Sequence, residues 1–274
     1  MEIRIAQFIE YEKLGGLGKW DSGILEINLS SWDEFSFEIE RLLELGDFIW
    51  RGQKCDWPLK SKFDRIVNAN REVCLKEHEA SFRRSIKGRR GSNPSDLSTD
   101  DLWSLGQHYG LATPLLDWTE SPFVAAYFAF LEKDFPAGSK ESITDASQRF
   151  IYALSKDFER WGPRNPKDGK PSGSYTKFVE PVLDDNPRLI NQRGLFTLSM
   201  SEIDIEERVR KCYKDDPRKG RSRIIFVRIK MNGSERYKIL RNLNRMNINH
   251  ATLFPDLIGA SEYCNVGLEI ENFF

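Results

Sequence analysis

The chain has 274 residues, 39% of them hydrophobic and 30% charged, with a net charge of −1. That length suits one large domain or a domain with a small appendage, and the balanced charge excludes a global basic field for holding nucleic acid. An apolar leader and an apolar run of about 18 residues are both missing, which excludes a membrane span and points to a soluble cytoplasmic protein.

Leu25, Ile27 and Leu29 alternate with Glu26 and Asn28, the period of a half-buried strand. Ser31 with Glu34 then reads as a capping box. The helix it starts runs from Trp32 to about Leu45, with Phe35, Ile39, Leu42 and Leu43 toward one face and Gly46 as its stop. Phe48-Ile49-Trp50 reads as a short buried strand that delivers Arg51 at its end, after which Asp56-Trp57-Pro58-Leu59 turns the chain. Helical spacing covers 69–86, whose end carries Arg83, Arg84, Lys87, Arg89 and Arg90 as a solvated helix end or a local basic patch. A loop at 91–95 leads to a helix capped by Thr99 and ended by Gly110. Ser121 caps the next helix, with Pro122 at its first position and Ala125, Ala126 and Ala129 allowing close packing.

A polar loop at 140–148 separates this helical part from strands expected at 150–154, 175–179, 195–198 and 224–229. A Pro/Gly loop at 162–173, one helical turn at 187–192 and an exposed charged segment at 211–223 lie between them. Ser234 starts an amphipathic helix, and a last helix covers 255–263. Cys55, Cys74, Cys212 and Cys264 lack CxxC spacing, and three histidines give no legible zinc cluster. No metal is expected, and a reducing compartment fits best. Helices gathered early and strands late make a mixed α+β domain.

Chemistry concentrates at 102–130. Gln107-His108-Tyr109-Gly110 and Asp117-Trp118-Thr119 set polar groups in an aromatic and aliphatic run, as a ligand pocket requires. Arg51 offers a planar fork for carboxylate or phosphate, or else an internal salt bridge to Asp117. His108 ends a helix, which favours its imidazolium and raises its pKa. With Asp117 it forms the base and orienter of a nucleophilic site, or it is a satisfied core residue. Ser104 lies one turn before His108, a hydrolase reading without a GxSxG elbow. Asp117-Trp118-Thr119 reads as a loop before a capped helix, where backbone N–H groups receive anions, and Trp118 is a stacking face or core. Arg188, Gln192 and Gly194 form a second polar cluster, and Asp256 stands in the first turn of the last helix.

Together these segments resemble the FRG domain family, whose aromatic-Arg-Gly motif here reads Trp50-Arg51-Gly52. Trp57-Pro58-Leu59, Arg65, Gln107-His108-Tyr109-Gly110, Thr113 and Leu115-Leu116-Asp117-Trp118-Thr119 continue the pattern. The helix from Ser121-Pro122, then Gln192, Gly194, Phe196 and Leu253-Phe254-Pro255-Asp256-Leu257, extend it. Pro114 stands where the family usually carries Arg. The resemblance implies an FRG domain over 48–274, with 1–47 as an N-terminal accessory strand and helix.

FRG domains in turn resemble the ADP-ribosyltransferase-like fold, which implies a core of two small antiparallel sheets with helices packed around it. In that superfamily an Arg or His on the first core strand contacts NAD, a Ser, Thr or Tyr precedes an AxxFA-like helix, and a Glu follows on a later strand. The resemblance therefore assigns catalysis to Arg51, His108, Asp117, Gln192 and Asp256. It assigns the NAD site to Arg51, Gly52, Gln53, Gln107, Tyr109, Trp118, Thr119, Gly194 and Phe196. Gln192 falls where the Glu stands, and a missing preorganised partner commonly costs about 3 kcal/mol. The implied activity is mono-ADP-ribosyl transfer or NAD hydrolysis, in defence or as a toxin, with NAD as substrate and an unassigned acceptor. The alternative is a non-catalytic module that binds a nucleotide or nucleic acid.

Overall fold

The alternation at Ile24–Leu29 (β2) is realised as a strand, preceded by Lys19–Asp21 (β1) across a turn at Ser22-Gly23. Trp32–Leu45 (α1) starts at Ser31, whose hydroxyl accepts from the Glu34 amide. The Glu34 carboxylate accepts from the Ser30 amide at 2.7 Å rather than completing the box at Ser31. Leu43, expected on the inner face, is exposed, and Leu45 takes the buried position beside Leu42. The chain continues through Phe48–Gln53 (β3), Lys62–Ile66 (α2), Arg71–Ser85 (α3), Thr99–His108 (α4), Leu115–Thr119 (β4) and Pro122–Leu131 (α5). Gln148–Ser155 (β5), Thr176–Val179 (β6), Pro187–Asn191 (α6), Gly194–Ser199 (β7), Ile205–Asp215 (α7) and Phe226–Asn232 (β8) follow. Arg236–Arg245 (α8), His250–Leu253 (α9) and Leu257–Glu269 (α10) complete the order. The computed structural model describes residues 11–13, 15–91, 96–134, 148–161, 176–181, 187–199, 203–215 and 224–274. The expected loops at 140–148 and 162–173 lie almost wholly outside them, as do 216–223.

Further expectations are corrected. Asp117-Trp118-Thr119 lies in strand β4, because Leu115 to Thr119 pair antiparallel with β7. Helix α4 is capped by Ser98, whose hydroxyl accepts from the Asp101 amide, and not by Thr99. The start of the charged segment at 211–223 is the end of α7, which buries Ile205 and Val209.

The strands form one sheet in the order β1-β2-β8-β5-β3-β4-β7-β6, with β2 and β8 parallel and the other pairs antiparallel. In place of the expected two small antiparallel sheets, the described residues form one mixed sheet of eight strands. The junction is nonetheless thin, since β3 and β4 share the single pair Trp50↔Thr119. On its other side β3 pairs with β5 along its whole length.

Side chains alternate across a strand, so β3 feeds two cores. Phe48 and Trp50 enter a cluster with Phe35, Phe130, Ile151, Leu240 and Val266, covered by α1, α5, α8 and α10. Ile49 joins Leu154, Phe226 and Val209 on the opposite face, under α7. A third cluster, Trp103, Leu115, Val179 and Phe196, packs α4 against β4, β6 and β7. Gly52 follows Trp50 onto the α5 face, where fully buried Ala125 and Ala129 let the helix backbone close on the strand.

Candidate functional site at the sheet junction

Past the Trp50↔Thr119 pair β3 and β4 are no longer paired, and the Arg51 side chain bridges the opening between them. Its Nη1 donates to the Asp117 carbonyl at 2.8 Å and lies 3.8 Å from Asp117 Oδ2, while Nε donates to Gln53 Oε1 at 3.2 Å. Gln53 is buried, and its own amide donates to the Trp57 carbonyl at 2.9 Å. The Trp57-Pro58-Leu59 turn therefore braces Gln53, and Gln53 braces Arg51. A fifth of the Arg51 side chain reaches solvent, and its Nη2 edge takes no part in these bonds. Burial pulls the Arg51 pKa down, as does the like charge of Arg65, while Asp117 opposes both. A guanidinium remains protonated under such a shift, so the opening holds a fixed cation whose Nη2 edge has no hydrogen-bond partner among the described residues.

Asp117 is held from the other side. Gln107 Nε2 donates to Asp117 Oδ2 at 2.9 Å, and Gln107 Oε1 accepts from the Thr113 hydroxyl. More than half of the Asp117 side chain is exposed, with Oδ1 outside these bonds. On the sheet face shared with Arg51, its cross-strand neighbour Tyr152 donates to Asp56 Oδ1 at 2.7 Å. Burial pushes the Tyr152 pKa well above its ordinary range, and Asp56 adds to this, so the phenol is a donor throughout.

His108 does not join this group. Gln107, and not His108, bonds the Asp117 carboxylate, and His108 is acted on by the charges of Arg188 and Asp256. Its pKa is lowered, against the expectation for a helix C-terminus. Burial and the Arg188 charge outweigh Asp256. Among the described residues no hydrogen bond joins Ser104 to His108.

The second cluster is built around Arg188, which bonds Asp256 Oδ2 through Nε at 3.1 Å and through Nη2, and lies 5.3 Å over the Phe254 ring. Asp256 Oδ1 caps α10 by accepting from the Gly259 amide, so both of its oxygens are engaged. Its carboxyl is held below the usual range first by Arg188 and then by Gly259. Gln192 Nε2 donates to the Leu253 carbonyl at 3.1 Å, and the Gln192 carbonyl accepts from buried Thr119 at 2.6 Å. Gly194 admits the Leu189 side chain, which a Cβ would meet at 2.7 Å. Beside this cluster an open groove of about 480 Å³ is lined by Ser121, Asn191, Arg193, Asn247, Ile248 and Thr252 among others.

Phe254 also stacks on His250 at 4.4 Å, and His250 Nδ1 meets the Tyr127 hydroxyl at 2.9 Å. Burial lowers the His250 pKa, as does Arg188, while Glu262 and Asp256 act against them. A histidine with a depressed folded pKa contributes stability that is present above its unfolded value of about 6.5 and lost as pH falls through the folded pKa. The unfolding midpoint is expected to drop between pH 7 and 5, with a shallower slope in His250→Gln. Thermal melts at each pH check this, and an unchanged slope in the variant refutes it.

The FRG domain family model matches residues 46–137. The likeness to that family covers those residues alone, about a third of the chain. No curated protein and no solved structure matches the chain. The matched segment contains the whole Arg51–Gln53–Gln107–Thr113–Asp117 network, whereas Gln192, Gly194, Phe196 and Asp256 lie beyond it. Within it, Trp118 is buried and donates to Thr197 Oγ1 at 2.8 Å, so its ring is core, and Tyr109 is exposed. Phe196 is likewise core. Two members of the site carried no separate signal in the sequence. Tyr152 joins through strand register, and Asp56 stood only as part of a turn. Among the described residues no group of three or more His, Cys, Asp or Glu is placed to hold a metal, and no helix is long and apolar enough to cross a membrane.

Proposed function

We propose that the FRG domain opening binds NAD at Arg51 and cleaves its nicotinamide–ribose bond, transferring ADP-ribose to an acceptor or to water. The observation that carries this reading is the exposed Asp117 carboxylate held beside a cation with a free donor edge. The Nη2 edge of Arg51 suits a pyrophosphate oxygen. Asp117 Oδ1 suits the ribose 2′-hydroxyl, where a carboxylate stabilises the oxocarbenium-like charge that develops as nicotinamide leaves. Three features of the ADP-ribosyltransferase-like pattern also fall on or next to neighbouring strands: Arg51 on β3, Thr119 at the end of β4 before Ala125-Ala126-Tyr127-Phe128-Ala129, and Gln192 in the turn before β7. Asp117 is favoured over Asp256 for the carboxylate role because Asp256 has no uncommitted oxygen. Quantifying nicotinamide released from NAD by the purified chain, with and without cell lysate, tests the proposal. Release above the protein-free rate supports it, and none from folded protein under either condition refutes it.

A second reading is favoured by Gln192, whose side chain is spent on the Leu253 carbonyl: a module that binds the nucleotide without turnover. It is distinguished by NAD binding in the absence of released nicotinamide. Restoring the superfamily's Glu is not expected to create activity in either case. Gln192→Glu replaces the donor to Leu253 with a carboxylate facing a carbonyl, and leaving that acceptor unmet costs about 1–3 kcal/mol. A lower melting temperature with no gain in rate is the expected result, and a gain in rate would place the catalytic carboxylate at 192.

A further inference from the structure

Thr113 is fully buried, in a loop fastened at three carbonyls. Lys62 Nζ donates to Gly110 O at 3.0 Å, His78 Nε2 to Ala112 O at 2.9 Å, and the Phe63 amide to Thr113 O at 3.2 Å. A carbonyl only accepts, so His78 carries its proton on Nε2. The His78 ring is itself clamped, lying 5.8 Å from Trp103 in a stacked arrangement and 5.8 Å from Phe63. The loop thus presents one hydroxyl at a fixed place. Thr113 Oγ1 accepts from the Leu115 amide at 3.3 Å, which leaves its single proton for Gln107 Oε1.

A glutamine amide has two ends of nearly equal shape, and its neighbours decide which way it points. Were Gln107 turned over, its carbonyl oxygen would face Asp117 Oδ2 at 2.9 Å, two acceptors with no proton between them. The acceptor-only carboxylate sets which end of the amide faces it, and the buried hydroxyl holds the other end by donating to Oε1, so the amide is gripped from both sides.

We infer that Thr113 is a positioning residue for the FRG site, acting through Gln107 as a lock that fixes the Asp117 carboxylate in one orientation. Thr113 is closed off from solvent and acts through the amide. Its effect on turnover rests on the NAD-cleavage reading above, whereas the lock itself does not.

The test uses the full chain with Thr113→Val, Thr113→Ser and Gln107→Glu, read in two ways. Hydrogen exchange at the Gln107 side-chain NH2, followed by NMR, reports the lock without any turnover. Slow exchange in the wild type and in Thr113→Ser is expected, with exchange at least tenfold faster in Thr113→Val. Nicotinamide release reports the consequence: kcat should fall at least tenfold in Thr113→Val with KM within about threefold, and recover in Thr113→Ser. Gln107→Glu keeps an acceptor for Thr113 but sets a second carboxylate against Asp117, and should lose turnover as completely. It serves as the independent variant if Thr113→Val fails to fold. Equal exchange and equal kcat in wild type and Thr113→Val overturn the lock, as does full activity in Gln107→Glu. A wild type with a protected amide and no nicotinamide release refutes the NAD reading and leaves the lock standing.

Discussion

Arg51→Ala is expected to reduce nicotinamide release by at least about a hundredfold, since one preorganised electrostatic partner commonly accounts for roughly that factor. Two losses combine. The free donor edge disappears, and the opening between β3 and β4 loses the group that spans it, because the Asp117 carbonyl and Gln53 Oε1 each lose their donor. Unmet acceptors in a partly buried site cost about 1–3 kcal/mol, so the variant should melt lower yet remain folded at 25 °C. Arg51→Lys separates the two losses. An ammonium keeps the charge but lacks the planar fork that reaches Gln53 and Asp117 together. Its rate should also fall by more than tenfold. Wild-type turnover in folded Arg51→Ala would remove the opening from consideration as the reacting site.

Gly52→Ala is expected to abolish the fold rather than the chemistry. A Cβ at this position would sit 1.8 Å from the Ala125 carbonyl oxygen and 2.6 Å from the Ala129 amide nitrogen. Both are backbone atoms of α5, so no side chain can swing aside. The helix would have to leave the strand, opening the core around Trp50 and Phe130. Overpacking of this kind exceeds the usual range of about 1–3 kcal/mol, and about 4 kcal/mol or more is a large part of the net stability of a domain. Circular dichroism and melting of the purified variant check this, and a native-like transition would contradict the close strand–helix approach.

Strand and helix periods could be read wherever one element supplied its own pattern. Ile24–Leu29, α1, α5 and β8 were legible because alternation or a cap with an apolar stripe is written locally. β4 was not, since Leu115-Leu116-Asp117-Trp118-Thr119 reads as a strand only once β7 lies beside it. The site shows the same division. Arg51, Gln107 and Asp117 stood out as polar groups in apolar runs, and the structure brings all three together. His108 stood out equally and belongs elsewhere, because consecutive helical residues point about 100° apart and only register decides which one meets Asp117. Tyr152 was invisible, being aromatic in a strand where aromatics are ordinary core. Its role follows from lying opposite Arg51.

The parallel pairing of β2 with β8 has a consequence for how the chain is made. Ile24 meets Phe226, a separation of roughly 200 residues, and at about 5–20 residues per second of synthesis the first strand waits on the order of 10–40 s for its partner. During that interval β2 has only the β1 hairpin to occupy an edge, and an apolar strand edge is a template for wrong pairing. Closure of the sheet is therefore a late, long-range event of the kind that slows folding. The β2 edge meant for β8 stays open until residues 226–232 have been made.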